Sequence, residues 1–136
     1  MMDYLEAYSH AIAALAIWAL LSLVLGAMST LGRNAQNRCE CGLPRRDYSD
    51  VVYRRGRAFA NAMEMNGPFV AATVAGILAG AAPFWVNILA SVFILSRVAM
   101  AVVHIGTENQ PLRSMTWAIG MLCVFILALM AAIAAF

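Results

Sequence analysis

Arg54, Arg57, Asn61 and Glu64 follow one another at spacings of three, four and three residues, which places all four on one face of a helix. Carrying an arginine or a glutamate into hydrocarbon costs at least about 2.5–3.5 kcal/mol, so such a face must look onto protein or a wet cavity. Arg97 poses the same problem further along the chain, with Met100, Ala101 and His104 after it on the same helical face. Two arrangements are open: Glu64 pairs with Arg97, or both hold one polar ligand. A third group, Arg113 and Ser114, stands just after Pro111. Proline suits a helix's first turn, where its missing amide hydrogen costs nothing, and the free amides and dipole there favour an anion. A thiol placed beside Arg113 would lose its proton more easily, because dipole and guanidinium both stabilise thiolate. The purely structural alternative has Glu64 and Arg97 as a buried ion pair, Arg54 and Arg57 reaching lipid phosphates, and Arg113 anchoring topology.

The elements that carry these residues are membrane helices. With 63% of its 136 residues hydrophobic and 12% charged, the chain has too few polar side chains to cover a soluble globule. A bilayer core of about 30 Å needs roughly 20 apolar residues per helical crossing. The runs Ala11 to Leu31, Met65 to Ala82, Phe84 to Val103 and Ser114 to Phe136 supply four, interrupted only by Pro83 and Arg97. The expectation is an all-α integral membrane four-helix bundle, a single four-transmembrane-helix domain over 1–136 with helices at about 5–31, 51–81, 84–105 and 111–136. The leader Met1 to His10 carries Asp3 and Glu6 and no basic residue, which reads as a retained anchor rather than a cleaved signal.

All nine basic residues are arginines, and Arg33, Arg38, Arg45, Arg46, Arg54 and Arg55 fall between the first apolar run and the body of the second. The positive-inside rule then makes the first loop cytoplasmic, returns the third connection to the same side and leaves both termini outside. The absence of a cleaved leader and the short loops suggest a bacterial inner membrane. A net charge of +2 gives no reason to expect nucleic acid. Cys39 and Cys41 lie in the first loop and Cys123 in the last helix, so in a reducing compartment no disulfide framework is expected. Two cysteines with no histidine near them in sequence make a poor metal site, and none is expected.

Within the second helix, Ala72, Gly76 and Gly80 recur every four residues and leave a face of little volume, a packing seam. Pro68 removes one backbone bond and should bend that helix. Ser49 or Asp50 is placed to cap it. The tryptophans Trp18, Trp85 and Trp117 are read as interface or packing residues.

The stretch from Arg54 to Phe69, with Arg57, Asn61, Glu64 and the pair Pro68-Phe69, resembles the second-helix signature of the MAPEG family, the membrane-associated proteins of eicosanoid and glutathione metabolism. Arg97 to His104 and Pro111 to Ser114 resemble the third- and fourth-helix segments of its microsomal prostaglandin E synthase branch. The resemblance implies a homotrimer with glutathione bound between neighbouring subunits near the cytoplasmic face. By position, Arg57, Asn61, Glu64, Arg97 and His104 would hold glutathione. Arg113, with Ser114 beside it, would hold its thiolate, and a lipophilic substrate would arrive from the lipid. Guanidinium on carboxylate and carboxylate on amine suit such a zwitterion.

The implied activity is that of a glutathione-dependent transferase, peroxidase or isomerase. Phe59 and Ala60 stand where that branch has His and Arg, Met100 replaces a His, and His104 and Trp117 each replace a Tyr. These departures keep a second reading open, a non-catalytic lipid-binding or scaffold member of the same family. A small transporter is disfavoured because the polar cluster sits at one end of the helices rather than at the midplane.

Overall fold

A computed structural model describes residues 2–136; Met1, the first residue of the acidic leader, lies outside the described residues. The described residues form five helices: α1 (Met2–Glu6), α2 (Ser9–Thr30), α3 (Val51–Leu78), α4 (Pro83–Gly106) and α5 (Gln110–Ala134). No strand occurs among them.

The helix expected from about residue 5 therefore starts at Ser9, after a separate short α1. Tyrosines tie this corner to the far end of α3: Tyr8 Oη donates to Ala81 O at 2.6 Å, and Tyr4 Oη donates to Ile77 O. Asn87 on α4 secures the same corner from the other side. It accepts from Ala11 N at 2.9 Å and donates to Ala7 O at 2.7 Å, so groups freed by the break find partners.

Each remaining helix starts where the chain offers a cap. Asp50 accepts from Val52 N at 2.8 Å at the head of α3, while Ser49, the other candidate, donates instead to Asp47 Oδ1. Pro83 occupies the first turn of α4, and Asn109 accepts from Leu112 N at 3.0 Å ahead of Pro111 in α5. α3 runs through Pro68 without ending; proline has no amide hydrogen for Glu64 O, one turn earlier.

The bundle is built around α3 and α4, which touch each other and both flanking helices, with α2 and α5 on opposite sides. Trp18, Phe69 and Phe93 meet at the centre. The Phe69 and Phe93 rings stack at 3.9 Å between centroids, Trp18 sets its edge against both, and its Nε1 donates to Asn66 Oδ1 at 2.8 Å. Ala72 and Gly76 are buried as the seam requires; a Cβ at Gly76 would lie 3.8 Å from Val86 Cγ2 and 4.0 Å from Ala131 Cβ. Gly80 does not extend the seam. α3 ends at Leu78, and Gly80 adopts φ 75° in the turn to α4, a conformation glycine takes without a Cβ clash.

Three helices, α2, α4 and α5, are long and apolar enough to cross a membrane. α3 is longer than any of them but carries the Arg, Asn and Glu face. Large apolar side chains point outward along every long helix, among them Leu23, Leu78, Leu95, Phe125 and Ile133, a surface made for lipid or for other copies.

The first loop corrects the expectation for its cysteines. Cys39 and Cys41 are joined in a disulfide, with Cα atoms 5.2 Å apart. The turn itself creates this proximity. Cys39 N donates to Leu43 O and Gly42 N to Cys39 O, both at 2.9 Å, and Gly42 takes φ 82°. The chain thus folds back within five residues, and the bonded sulfurs belong to a small hairpin whose base pairs Arg38 with Pro44.

Candidate functional site

The first loop and the α4–α5 connection lie at the same end of the bundle, and Arg54 binds them together. Its Nε donates to Ile105 O at 3.0 Å, its Nη1 donates to Tyr48 O at 2.6 Å and Ser49 O at 2.9 Å, and Glu108 lies 3.8 Å away. Arg54 is thereby committed to backbone carbonyls. The next residues on its face, one turn inward, open onto a cavity.

That cavity encloses about 550 Å³ and is lined by Arg57, Asn61 and Glu64 from α3, His104 from α4, Arg113, Ser114 and Trp117 from α5, and Tyr48 from the loop. Six of the seven residues that the resemblance implies for the site thus share one space. Arg113 is only 8% exposed. Its guanidinium lies over the Tyr48 ring, with Cζ 4.2 Å from the centroid, and its Nη1 finds no hydrogen-bond partner among the described residues. His104 is likewise buried; its Nδ1 stands 3.5 Å from Asn61 Nδ2 and its Nε2 is without a partner there. Buried donors and acceptors left open in this way are costly in a folded chain unless something completes them.

Arg97, the seventh, is placed elsewhere. It is fully buried between α4 and α5, where Nη2 donates to Thr116 O at 3.1 Å and Trp117 O at 3.0 Å and Cζ sits 5.5 Å from the centre of the Phe93 ring. No Glu64–Arg97 pair forms, because Glu64 is exposed on α3 beside the cavity while Arg97 is turned into the α4–α5 contact. Arg97 touches the site through the backbone of Trp117, a lining residue. Gly120 makes this possible, since a Cβ there would meet Ser96 Oγ at 2.7 Å and Arg97 Cζ at 2.8 Å.

A second, larger cavity of about 1020 Å³ lies between α2, α3 and the loop. Its walls are mainly apolar, with Phe59, Ala60, Met63, Leu43 and Pro44, and Arg33 stands at its edge. Arg57 and Glu64 border both spaces. Both volumes are of the order of small-molecule sites, about 300–1,000 Å³.

The model of the MAPEG family matches residues 7–133 of the chain, which takes in α2, α3 and α4 whole and α5 up to its last residue, and leaves out α1. The chain belongs to the MAPEG family. No curated protein matches it significantly. MAPEG proteins are membrane proteins, and with its three apolar helices this one is an integral membrane protein. The family includes glutathione-dependent transferases and peroxidases and also non-catalytic members.

Sequence reasoning reached most of the helical lining of this cavity and missed Tyr48 in the first loop and Gln110, the first residue of α5. Tyr48 and Gln110 line the cavity, yet neither belongs to a periodic pattern. Tyr48 could have been suspected only from its position two residues before the Asp50 cap.

Proposed function

We propose that the chain is a glutathione-dependent membrane enzyme, a transferase, peroxidase or isomerase of lipophilic substrates, working as a homotrimer of four-crossing subunits with the first and third loops cytoplasmic. One observation carries this reading: the convergence of Arg57, Asn61, Glu64, His104, Arg113 and Ser114 on a single cavity. Its charges are two guanidiniums and one carboxylate. Glutathione presents the complement, two carboxylates and one ammonium, and charge-assisted pairs of this kind are the strong ones. The open Nη1 of Arg113 and Nε2 of His104 offer further polar partners.

Bound glutathione would supply a thiol as nucleophile or reductant. Arg57 takes a carboxylate of the tripeptide, and Glu64 takes its amine. Asn61 and His104, already in contact, turn their remaining polar atoms to its peptide groups. Arg113, at the head of α5, stabilises negative charge on the sulfur together with the helix dipole, and Ser114 offers a hydroxyl beside it. Arg97 acts as a positioning residue by holding the backbone carbonyls of Thr116 and Trp117, three and four residues after Arg113. The lipophilic substrate enters from the bilayer, which α2, α4 and α5 face with apolar surface.

Calorimetric titration of the detergent-purified protein with glutathione tests this. Wild type should bind, and Glu64→Ala and Arg113→Ala should each weaken binding about tenfold or more, the worth of a lost charge-assisted hydrogen bond. Absence of binding to wild type would remove the proposal, and equal affinity in both variants would place the ligand elsewhere.

A second reading, lipid binding without turnover, is favoured by the apolar wall that Phe59, Ala60 and Met63 give the larger cavity. Glutathione binding without turnover of electrophiles or hydroperoxides would select it.

A further inference from the structure

The first loop holds a pair of sulfurs that the glutathione cavity does not use. Cys39 and Cys41 are bonded across a single intervening residue. Cross-linking stabilises a fold chiefly by shortening the unfolded chain's freedom, and the effect grows with the loop enclosed. A link over so few residues therefore adds little stability. The hairpin has its own supports: Cys39 N to Leu43 O at 2.9 Å, Gly42 N to Cys39 O at 2.9 Å and Arg45 N to Asn37 O at 2.8 Å. Asn34 adds a further turn by accepting from Gln36 N and Asn37 N. These bonds, none of them made by sulfur, hold the turn on which the two cysteines sit.

The surroundings suit reaction. Cys41 is exposed and Cys39 half-buried, so an external thiol has access to the outer sulfur. Cys39 shares a depression of about 380 Å³ with Arg38, Glu40, Gly42 and Arg45. Two guanidiniums beside the leaving sulfur stabilise it as thiolate, which speeds exchange. The same charges, which outnumber the one carboxylate of Glu40 in the lining of the depression, draw in thiols that carry carboxylates.

We propose that Cys39 and Cys41 form a thiol–disulfide exchange site for small anionic thiols. A thiolate RS⁻ attacks Cys41 Sγ, making a Cys41–SR mixed disulfide and releasing Cys39 as thiolate. A second RS⁻ attacks the outer sulfur of that mixed disulfide, giving RSSR and freeing Cys41. Two thiols are oxidised, the protein disulfide is reduced by two electrons, and the two protons lost by RSH end on Cys39 and Cys41. The site stands apart from the proposed glutathione cavity and does not depend on it.

The test uses the full chain in detergent, equilibrated in buffers of varied reduced-to-oxidised glutathione ratio, acid-quenched, unfolded, alkylated and weighed intact. The chain has three cysteines, so the oxidised form takes one label, on Cys123, and the reduced form three. The expected result is a reversible passage between these two masses as the ratio changes, with a glutathione adduct trapped in Cys39→Ser. In a kinetic arm, Arg38→Gln with Arg45→Gln should slow reduction by glutathione about threefold or more while changing reduction by neutral 2-mercaptoethanol less. Three labels at every ratio, one label even in excess reduced glutathione, or equal slowing with both thiols would each overturn the proposal.

Discussion

The guanidinium of Arg113 lies over the ring of Tyr48, its Cζ 4.2 Å from the centroid, so the cation at the head of α5 rests against a loop residue that precedes α3. The contact spans the bundle end and joins the two connections that the positive-inside rule places on one side of the membrane. It also leaves Nη1 without a hydrogen-bond partner among the described residues.

Replacing Tyr48 with leucine removes the aromatic face but keeps apolar cover. A desolvated cation–π contact is worth up to about 2 kcal/mol. The expected result is weaker glutathione binding by several-fold to about tenfold, with unfolding in detergent little changed. Calorimetry on Tyr48→Leu beside wild type checks this; unchanged affinity would mean that Arg113 is positioned by α5 alone.

The Tyr48 loop carries a pH-sensitive clasp. Asp47 accepts from the Ser49 hydroxyl at 2.7 Å and from Ser49 N at 2.9 Å, and these bonds, the hydroxyl's first, hold its carboxyl below the usual carboxylate range. A depressed folded pKa means that the clasp contributes stability above the ordinary carboxylate pKa and loses it as pH falls through the lowered value. Hydrogen exchange at the Ser49 amide should therefore gain an extra acceleration, beyond its intrinsic pH dependence, as acid protonates Asp47. Asp47→Asn should abolish that step.

Of the glycines, Gly120 has the least room for a side chain. A methyl group there collides with Ser96 and Arg97, and overpacking of this kind costs about 1–3 kcal/mol. Gly120→Ala should lower unfolding stability by that amount and disturb the carbonyls that Arg97 holds. Combining it with Arg97→Met should recover part of the loss, since contacting sites are not additive. Additive losses in a double-mutant cycle would show that the two do not interact.

Trp18 and Asn66 form an interhelical hydrogen bond at 2.8 Å between α2 and α3. In water, stranding such a donor costs about 1–3 kcal/mol, but measured bonds between membrane helices average about 0.6 kcal/mol. The membrane figure governs here, so Asn66→Leu should cost about 1 kcal/mol or less in steric-trap or denaturant unfolding. A loss well above that would point to a further role for Asn66.

What could be read in the sequence divides along a physical line. The long helices were legible because the bilayer imposes length and apolarity, and Arg57, Asn61 and Glu64 could be placed together because helical spacing fixes which side chains share a face. Arg113 and Ser114 followed from Pro111. Arg97 lies outside the cavity lining: periodicity gives its helical face but not its neighbour, and the space that Gly120 opens on another helix is invisible to spacing. Tyr48 and the Cys39–Cys41 bond were missed because irregular backbone is set by individual hydrogen bonds, such as Cys39 N to Leu43 O, which leave no repeating signal. The break between α1 and α2 depends on Asn87, far away in sequence.

The proposed chemistry turns on whether Arg113 holds a thiolate. The ultraviolet absorbance of thiolate, followed as glutathione is titrated into the detergent-purified protein near neutral pH, reads this directly. The expected result is a saturable rise in wild type that is lost in Arg113→Ala under conditions where that variant is still driven to bind by excess ligand. A bound tripeptide whose sulfur remains fully protonated, or an equal rise without Arg113, would contradict the account.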